Sequence, residues 1–204
     1  MKKGASPRSL KIPSIRTLRK YHRIARVGEI ARRYFAMNAF DGVLTILGVL
    51  VGGFFGHVRE AGAVLTLGLA ASFAMGVSGF YGAYMTEKAE RNRALAELEE
   101  STLSSLRDTD IGHASTYATI VVSLVDGLSP FAAAAIAVSP FFLGGVIAIE
   151  TAFYAAFTLA FIELFALGVY LGSISRDRMI LSGLKMVTAG LLCVAVGYAL
   201  GATA

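Results

Sequence analysis

The sequence predicts an all-α membrane protein with five transmembrane helices and a cytoplasmic helical extension after the second. Hydrophobic residues make up 55% of the 204 residues, and charged residues only 16%, whereas soluble domains carry about 25% charged residues. The charge is also segregated, because 11 of the 19 Lys and Arg residues lie within the first 33 positions. This composition excludes an ordinary soluble domain and a disordered chain, and the single cysteine excludes an internal disulfide.

Five apolar stretches are each long enough to cross a bilayer core of about 30 Å as a helix. The predicted spans are residues 34–56, 61–86, 114–138, 146–173 and 179–201. Ser139-Pro140 and Gly144-Gly145 break helices, so we expect the turn between the third and fourth spans to lie there. The chain therefore divides into a basic tail over residues 1–33 and a five-span membrane domain over residues 34–204.

The positions of Lys and Arg predict the orientation, because cytoplasmic segments carry an excess of both residues. The tail, the segment 87–113 and the loop with Arg176 and Arg178 hold nearly all of them, whereas the opposite side has only Arg59. This distribution predicts a cytoplasmic N-terminus and an outside C-terminus. We expect the basic tail to lie on anionic lipid rather than to bind nucleic acid, because few aromatic residues interrupt its charges.

Polar residues inside the predicted spans are candidate functional positions, because ionisable groups within a bilayer are costly. On the first span Asn38, Asp41 and Thr45 recur at helical spacing and share one face. Asp126 on the third span is followed by a glycine and, four residues on, a proline, which weaken the helix and free carbonyl groups as ligands. Met75 on the second span is core filler or, beside carboxylates, a thioether ligand. These five residues are predicted to line a transport path.

Two glutamates of the fourth span, Glu150 and Glu163, are candidates for a proton relay. They do not share a face, because 13 positions on a helix correspond to an offset of about 220°. Glu150 is alternatively a solvated residue at the outer interface. Glu163 is alternatively the structural partner of Lys185 on the fifth span.

Regularly spaced glycines predict close helix packing on the first and fifth spans. They are Gly48, Gly52 and Gly56 on the first span, and Gly183, Gly190 and Gly197 on the fifth. We expect at least one of these two stripes to contact a second subunit, which would make the protein a homodimer.

A charged helix is predicted to continue the second span into the cytoplasm over residues 87–106. The segment contains no Gly or Pro and is rich in Glu, Ala, Leu, Lys and Arg, which favour helix. The pairs Glu87/Glu90 and Glu97/Glu100 each place two carboxylates on one face. They predict an edge that collects metal ions. The alternative is a solvated helix whose glutamates pair with neighbouring Lys and Arg.

Residues 38–49, which read NAFDGVLTILGV, resemble the first-span motif of vacuolar iron transporter-like proteins. The resemblance extends over about residues 30–200, and residues 76–91 are similar to a little-characterised prokaryotic branch. It implies a dimer that exports Fe²⁺ or Mn²⁺ from the cytosol in exchange for protons, with Asp41 and Met75 on the metal path. It also implies a metal-collecting role for the cytoplasmic glutamates. The family's Gly-Glu-Tyr reads Gly79-Phe80-Tyr81 here, which leaves proton coupling open.

These observations together predict a divalent-metal exporter of the prokaryotic cell membrane. Carboxylates with one thioether suit Fe²⁺ or Mn²⁺, whereas the spans lack the His residues and Cys pair that suit Zn²⁺ or copper. Two alternatives stay open: a proton-coupled transporter of another solute on the same fold, and a non-transporting scaffold or sensor with an acidic binding helix. We expect no enzyme and no prosthetic group, since neither an H-E-x-x-H nor a G-x-S-x-G motif occurs.

Overall fold

The computed structural model describes residues 14–201, and every regular element in this part of the chain is helical. The six α-helices are α1 (Ile15–Ile24), α2 (Val27–Phe55), α3 (Ala61–Thr102), α4 (Asp110–Ala137), α5 (Ile149–Ser175) and α6 (Met179–Gly201). Helices α2 to α6 are long and apolar enough to cross a membrane, by length and composition. The predicted all-α class with five spanning helices is therefore confirmed.

The predicted basic tail is helical in its described part and leads directly into the first span. The side chain of Ser14 caps α1 by accepting a hydrogen bond from the Thr17 N–H. Arg26 takes a left-handed backbone conformation with φ 47°, and α2 then begins at Val27 rather than at residue 34. Residues 1–13 of the predicted tail and residues 202–204 of the predicted membrane domain lie outside the described residues.

Helix α1 packs on the beginning of α4. The Lys20 ammonium group forms an ion pair with Asp110, and the Tyr21 ring lies 6.2 Å from the ring of His113 and 6.4 Å from that of Tyr117. The basic segment is thus held against the end of the helix bundle by one ion pair and by aromatic contacts.

The helical extension of α3 beyond its apolar part ends four residues earlier than predicted, at Thr102. Leu103 adopts a left-handed conformation with φ 50°. The Glu99 carboxylate then accepts a hydrogen bond of 2.6 Å from the Leu106 N–H. This local cap turns the chain back toward α4.

The turn between the third and fourth spans lies where the helix-breaking residues place it. A 3-10 helix occupies Ser139–Leu143, with Pro140 in its first turn. Helix α5 consequently begins at Ile149 rather than at residue 146.

Contacts along α2 show that α4 and α6 run parallel to it, whereas α3 and α5 run antiparallel. The contacting pairs are Asn38–Asp126 and Gly42–Pro130 for α4, Leu47–Gly190 and Val51–Gly197 for α6, Tyr34–Glu87 and Ile46–Gly68 for α3, and Phe35–Tyr170 and Gly53–Phe153 for α5. The helix directions therefore alternate, as expected for five helices that cross the membrane one after another. Because α2 contacts each of the other four spanning helices, it lies at the centre of the bundle. The side chains of Val43, Ile46, Leu47 and Leu50 are accordingly fully buried.

Candidate functional site

A buried carboxylate lies where α2, α3 and α4 meet. Asp126 of α4 is 5% exposed, and its Oδ1 accepts a hydrogen bond from Nδ2 of Asn38 on α2. The same amide group also donates to the Tyr34 carbonyl at 3.0 Å. Asp41, one turn beyond Asn38, lies close enough to Asp126 for the two charges to interact. The structure therefore brings Asn38, Asp41 and Asp126 together from two separate spans.

Glycines allow α3 to approach this carboxylate closely. A Cβ added to Gly76 would lie 2.6 Å from the Gly127 carbonyl oxygen, so the backbones of α3 and α4 touch at this point. A Cβ added to Gly79 would lie 2.9 Å from Asp126 Oδ2. Small residues at such crossings are typical of close packing between membrane helices. Asp126 thus lies against the bare backbone of α3.

The proline of α4 frees a second oxygen at the same place. Pro130 lies inside α4 and has no N–H, so the Asp126 carbonyl four residues earlier lacks its usual helical donor. That carbonyl oxygen lies 3.3 Å from the position of a Cβ on Gly79. Oδ2 and the backbone oxygen of Asp126 therefore face the same spot on α3.

A polar connection leads from this site toward the end of the membrane part of α3. The Tyr34 hydroxyl donates to Oε1 of Glu87 at 3.3 Å, and Tyr34 is within electrostatic range of Asp126. Nε of Arg91 donates to Oε2 of Glu87 at 3.0 Å, and the Glu87 side chain is only 13% exposed. Tyr34 was not predicted as part of the site. Its position one helical turn before Asn38 is the signal that could have identified it.

The four glutamates of the predicted acidic edge have different surroundings. Glu87 pairs with Arg91, and Glu97 pairs with Arg93 at 3.0 Å on the exposed surface. Glu90 and Glu100 are exposed. Within residues 14–201 no group of three or more His, Cys, Asp and Glu side chains is arranged to hold a metal ion. The alternative of glutamates paired with neighbouring basic residues thus describes Glu87 and Glu97.

Met75 of α3 and Thr45 of α2 each lie one helical turn from a residue of the site. Both are half-buried. Met75 is four residues before Gly79, and Thr45 is four residues after Asp41, so each shares a side of its helix with a residue of the site. Both therefore lie about 6 Å further along their helices.

The two glutamates of α5 have different environments. Glu150 is exposed and lies 3.5 Å from a guanidinium nitrogen of Arg59, as the solvated alternative predicts. Both carboxylate oxygens of Glu163 are buried and have no hydrogen-bond partner among the described residues. The expected pair between Glu163 and Lys185 is not formed, and Lys185 is exposed on α6. The alternative of a structural ion pair there is wrong, because α6 presents Lys185 to its outer surface.

The two glycine stripes also differ. On α6, a Cβ added to Gly183 would lie 2.6 Å from the Phe165 ring, and one added to Gly190 would lie 2.5 Å from Leu164, so this stripe packs within the chain. On α2, no atom lies within 4 Å of a Cβ added to Gly48 or Gly52. The face of α2 that carries Asp41, Gly48 and Gly52 is exposed in the single chain.

The fold and the site define an integral membrane protein with five spanning helices in its described part and a buried aspartate between them. No protein-family model matches the chain, and no solved structure matches it significantly. The chain is 36% identical over 172 residues to the uncharacterized protein MJ0645 of Methanocaldococcus jannaschii, a match that covers 83% of this chain and 87% of that protein. The chain therefore belongs to the same family as this archaeal protein.

Proposed function

We propose that the protein exports a divalent transition-metal ion, Fe²⁺ or Mn²⁺, across the membrane in exchange for protons. The observation that carries the proposal is the buried Asp126, hydrogen-bonded to Asn38, with Asp41 close to it on the exposed face of α2. A carboxylate at membrane depth is costly and is typical of an ion path. The resemblance of the first span to vacuolar iron transporter-like proteins supports the same function.

The available ligands suit the proposed substrate. Asp126 offers Oδ2 and its free backbone carbonyl, and Asn38 offers the oxygen of its carboxamide. Oxygen ligands of this kind bind Mn²⁺ well, and a thioether such as that of Met75 favours softer ions such as Fe²⁺. The polar connection through Tyr34 and Glu87 supports entry of the ion from that end of the bundle.

We further propose that the working unit is a homodimer formed through α2. One chain supplies too few ligands for a full coordination shell, and Asp41 lies on the exposed face that also carries Gly48 and Gly52. A second copy on this face would cover an ionisable group that otherwise faces lipid, and it would add a second Asp41 to the path. Close packing across the open glycines would favour such contact.

The proposed orientation has the N-terminus in the cytoplasm of a prokaryotic cell and the C-terminus outside. Helices α2, α4 and α6 begin on the side where α3 and α5 end, and the basic α1 lies on that side. An excess of Lys and Arg is typical of the cytoplasmic side. The similarity to an archaeal protein supports a prokaryotic membrane.

Metal flux into proteoliposomes, measured with and without a pH gradient, tests the function. We expect Asp126→Asn and Asp41→Asn to abolish flux, because each keeps its shape and loses its charge. The Asn38 amide can still donate to the oxygen of an Asn at position 126, so the fold should persist. Asp177→Asn, in the exposed loop after α5, is the matched control and should transport normally.

The other outcomes of this experiment separate the alternatives. Full metal flux in Asp126→Asn would contradict the proposed path. Proton flux without metal flux would indicate a transporter of another solute, and the absence of both would favour a scaffold or sensor.

The collecting role is proposed for the exposed glutamates of the α3 extension. Glu90→Gln with Glu100→Gln should reduce the rate at low metal concentration and leave the rate at saturation unchanged, because exposed charge raises the local ion concentration. Unchanged flux at low metal would contradict this role. Glu87→Gln provides the contrast, since it removes a partly buried ion pair and should lower stability instead.

A further inference from the structure

A cavity lies between α2, α4 and α5 within the membrane-spanning part of the bundle. Its volume is about 300 Å³, and its lining is almost entirely apolar. The lining includes Phe35 and Ala39 of α2, Ser129 and Ala133 of α4, and Glu163 and Tyr170 of α5. Exposed residues such as Ile136 also line it, so the cavity opens toward the lipid-facing surface.

The carboxyl group of Glu163 is isolated in this cavity. Both of its oxygens are buried, and neither has a hydrogen-bond partner in the described part of the chain. Among the α4 residues that line the cavity only Ser129 is polar, and its hydroxyl donates to the Val125 carbonyl instead. From α2 only Phe35 and Ala39 line the cavity.

The other ionisable groups of the neighbouring helices are directed elsewhere. Tyr170 lines the cavity seven residues further along α5, about 10 Å along the axis. Asp126 of α4 is bound by Asn38, Asp41 lies on the exposed face of α2, and Lys185 is exposed on α6. No cation therefore compensates a negative charge on Glu163 among the described residues.

An ionised carboxylate in such a place would be very unfavourable, because an unpaired charge loses its hydration without compensation. A neutral carboxylic acid avoids most of this cost. If the position were only structural, an apolar residue would fill the cavity without leaving polar atoms unpaired. A carboxyl group at this position is explained if its proton is bound and released.

We propose that Glu163 is a membrane-embedded proton-binding site, held as the neutral acid at neutral pH and separate from the aspartate site. The inference goes beyond the proposed function, because it holds whichever solute the protein moves. If metal–proton exchange takes place, Glu163 carries the exchanged proton.

Labelling with dicyclohexylcarbodiimide in liposomes tests this proposal. The reagent is uncharged, enters lipid and reacts with protonated carboxyl groups. The acid proton moves to a carbodiimide nitrogen, the carboxyl oxygen adds to the central carbon, and the adduct rearranges to a stable N-acylurea without another reactant. We expect mass spectrometry to locate the label on Glu163 at neutral pH, with a rate that falls at alkaline pH.

Two variants complete the experiment. Glu163→Gln should lose the label entirely and still fold, because glutamine has the shape of the neutral acid. Glu150→Gln, on the same helix, should keep the label at the wild-type rate, because Glu150 is exposed and paired with Arg59.

A second readout does not require the reagent to reach the cavity. The infrared C=O stretch of a protonated carboxyl group should be present in the wild type at neutral pH and disappear in Glu163→Gln. An infrared difference that shows only the carboxylate bands would overturn the proposal, whatever the labelling result. Failure of the wild type to transport metal would overturn the proposed function and leave the assignment of Glu163 unaffected.

Discussion

The contact between α3 and α4 beside Asp126 gives the sharpest test of the packing. A Cβ on Gly76 would lie 2.6 Å from the Gly127 carbonyl oxygen, which is 0.8 Å inside the 3.4 Å at which ordinary contact begins. The atom that such a Cβ would meet belongs to the backbone of α4, so no side-chain rotation can relieve the clash. Gly76→Ala must therefore push the two helices apart, and overpacking of this kind costs about 1–3 kcal/mol.

Gly82→Ala is the matched control, because it makes the same change six residues further along α3. No atom lies within 4 Å of a Cβ at Gly82. Alanine there should be neutral or stabilise the helix by about 0.5–1 kcal/mol.

Equilibrium unfolding in mixed micelles measures the free energy of unfolding of both variants. We expect Gly76→Ala to be less stable than Gly82→Ala by about 2 kcal/mol. The displaced α4 should also move Asp126 away from Asn38, so Gly76→Ala should lose metal flux as well. Equal stability of the two variants would refute the close approach of α3 and α4.

Two contacts at the ends of the helices predict pH dependence. The hydrogen bond from the Leu106 N–H holds the pKa of Glu99 below its ordinary 4.5. The capped loop is therefore fully stabilised above pH 4.5 and loses this stabilisation as pH falls through the lowered pKa. The protection factor of the Leu106 amide, which corrects for the intrinsic pH dependence of exchange, should then fall in the wild type but not in Glu99→Gln. The hydrogen bond to Asp110 raises the pKa of Lys20 above 10.5, so on the alkaline side this contact is lost as pH rises through the raised value. Lys20→Met should speed hydrogen exchange in α1 more than Arg19→Met does, and equal exchange in both would contradict the docking of α1 on α4.

The spanning helices could be predicted because the hydropathy of a segment depends only on the residues within that segment. An apolar run of about 20 residues must be helical in a bilayer, where backbone groups have no water as a partner. The boundaries that were missed depend on single residues. Arg26 takes a left-handed conformation before α2, and the Glu99 carboxylate caps the turn after α3.

The candidate site was predictable only in part. Asn38 and Asp41 share a face by their spacing, and this follows from helix geometry alone. Their contact with Asp126 is different, because the two segments are 88 residues apart and their separation depends on how closely the helices pack. The prediction of paired carboxylates at Glu87 and Glu90 overlooked Tyr34, which reaches Glu87 from another helix.

The sequence by itself determined that the chain forms five apolar helices. It also determined which helix faces are polar and which carry glycine, because these properties depend only on residues a few positions apart. The tertiary structure decided which polar groups have partners. Glu163 and Asp126 are both carboxylates within the spans, but Asp126 receives a hydrogen bond from Asn38 whereas Glu163 receives none among the described residues. That difference depends on the rotation and approach of neighbouring helices. Gly42, for example, allows the α2 backbone to touch α4 at Pro130, one turn from the contact between Asn38 and Asp126.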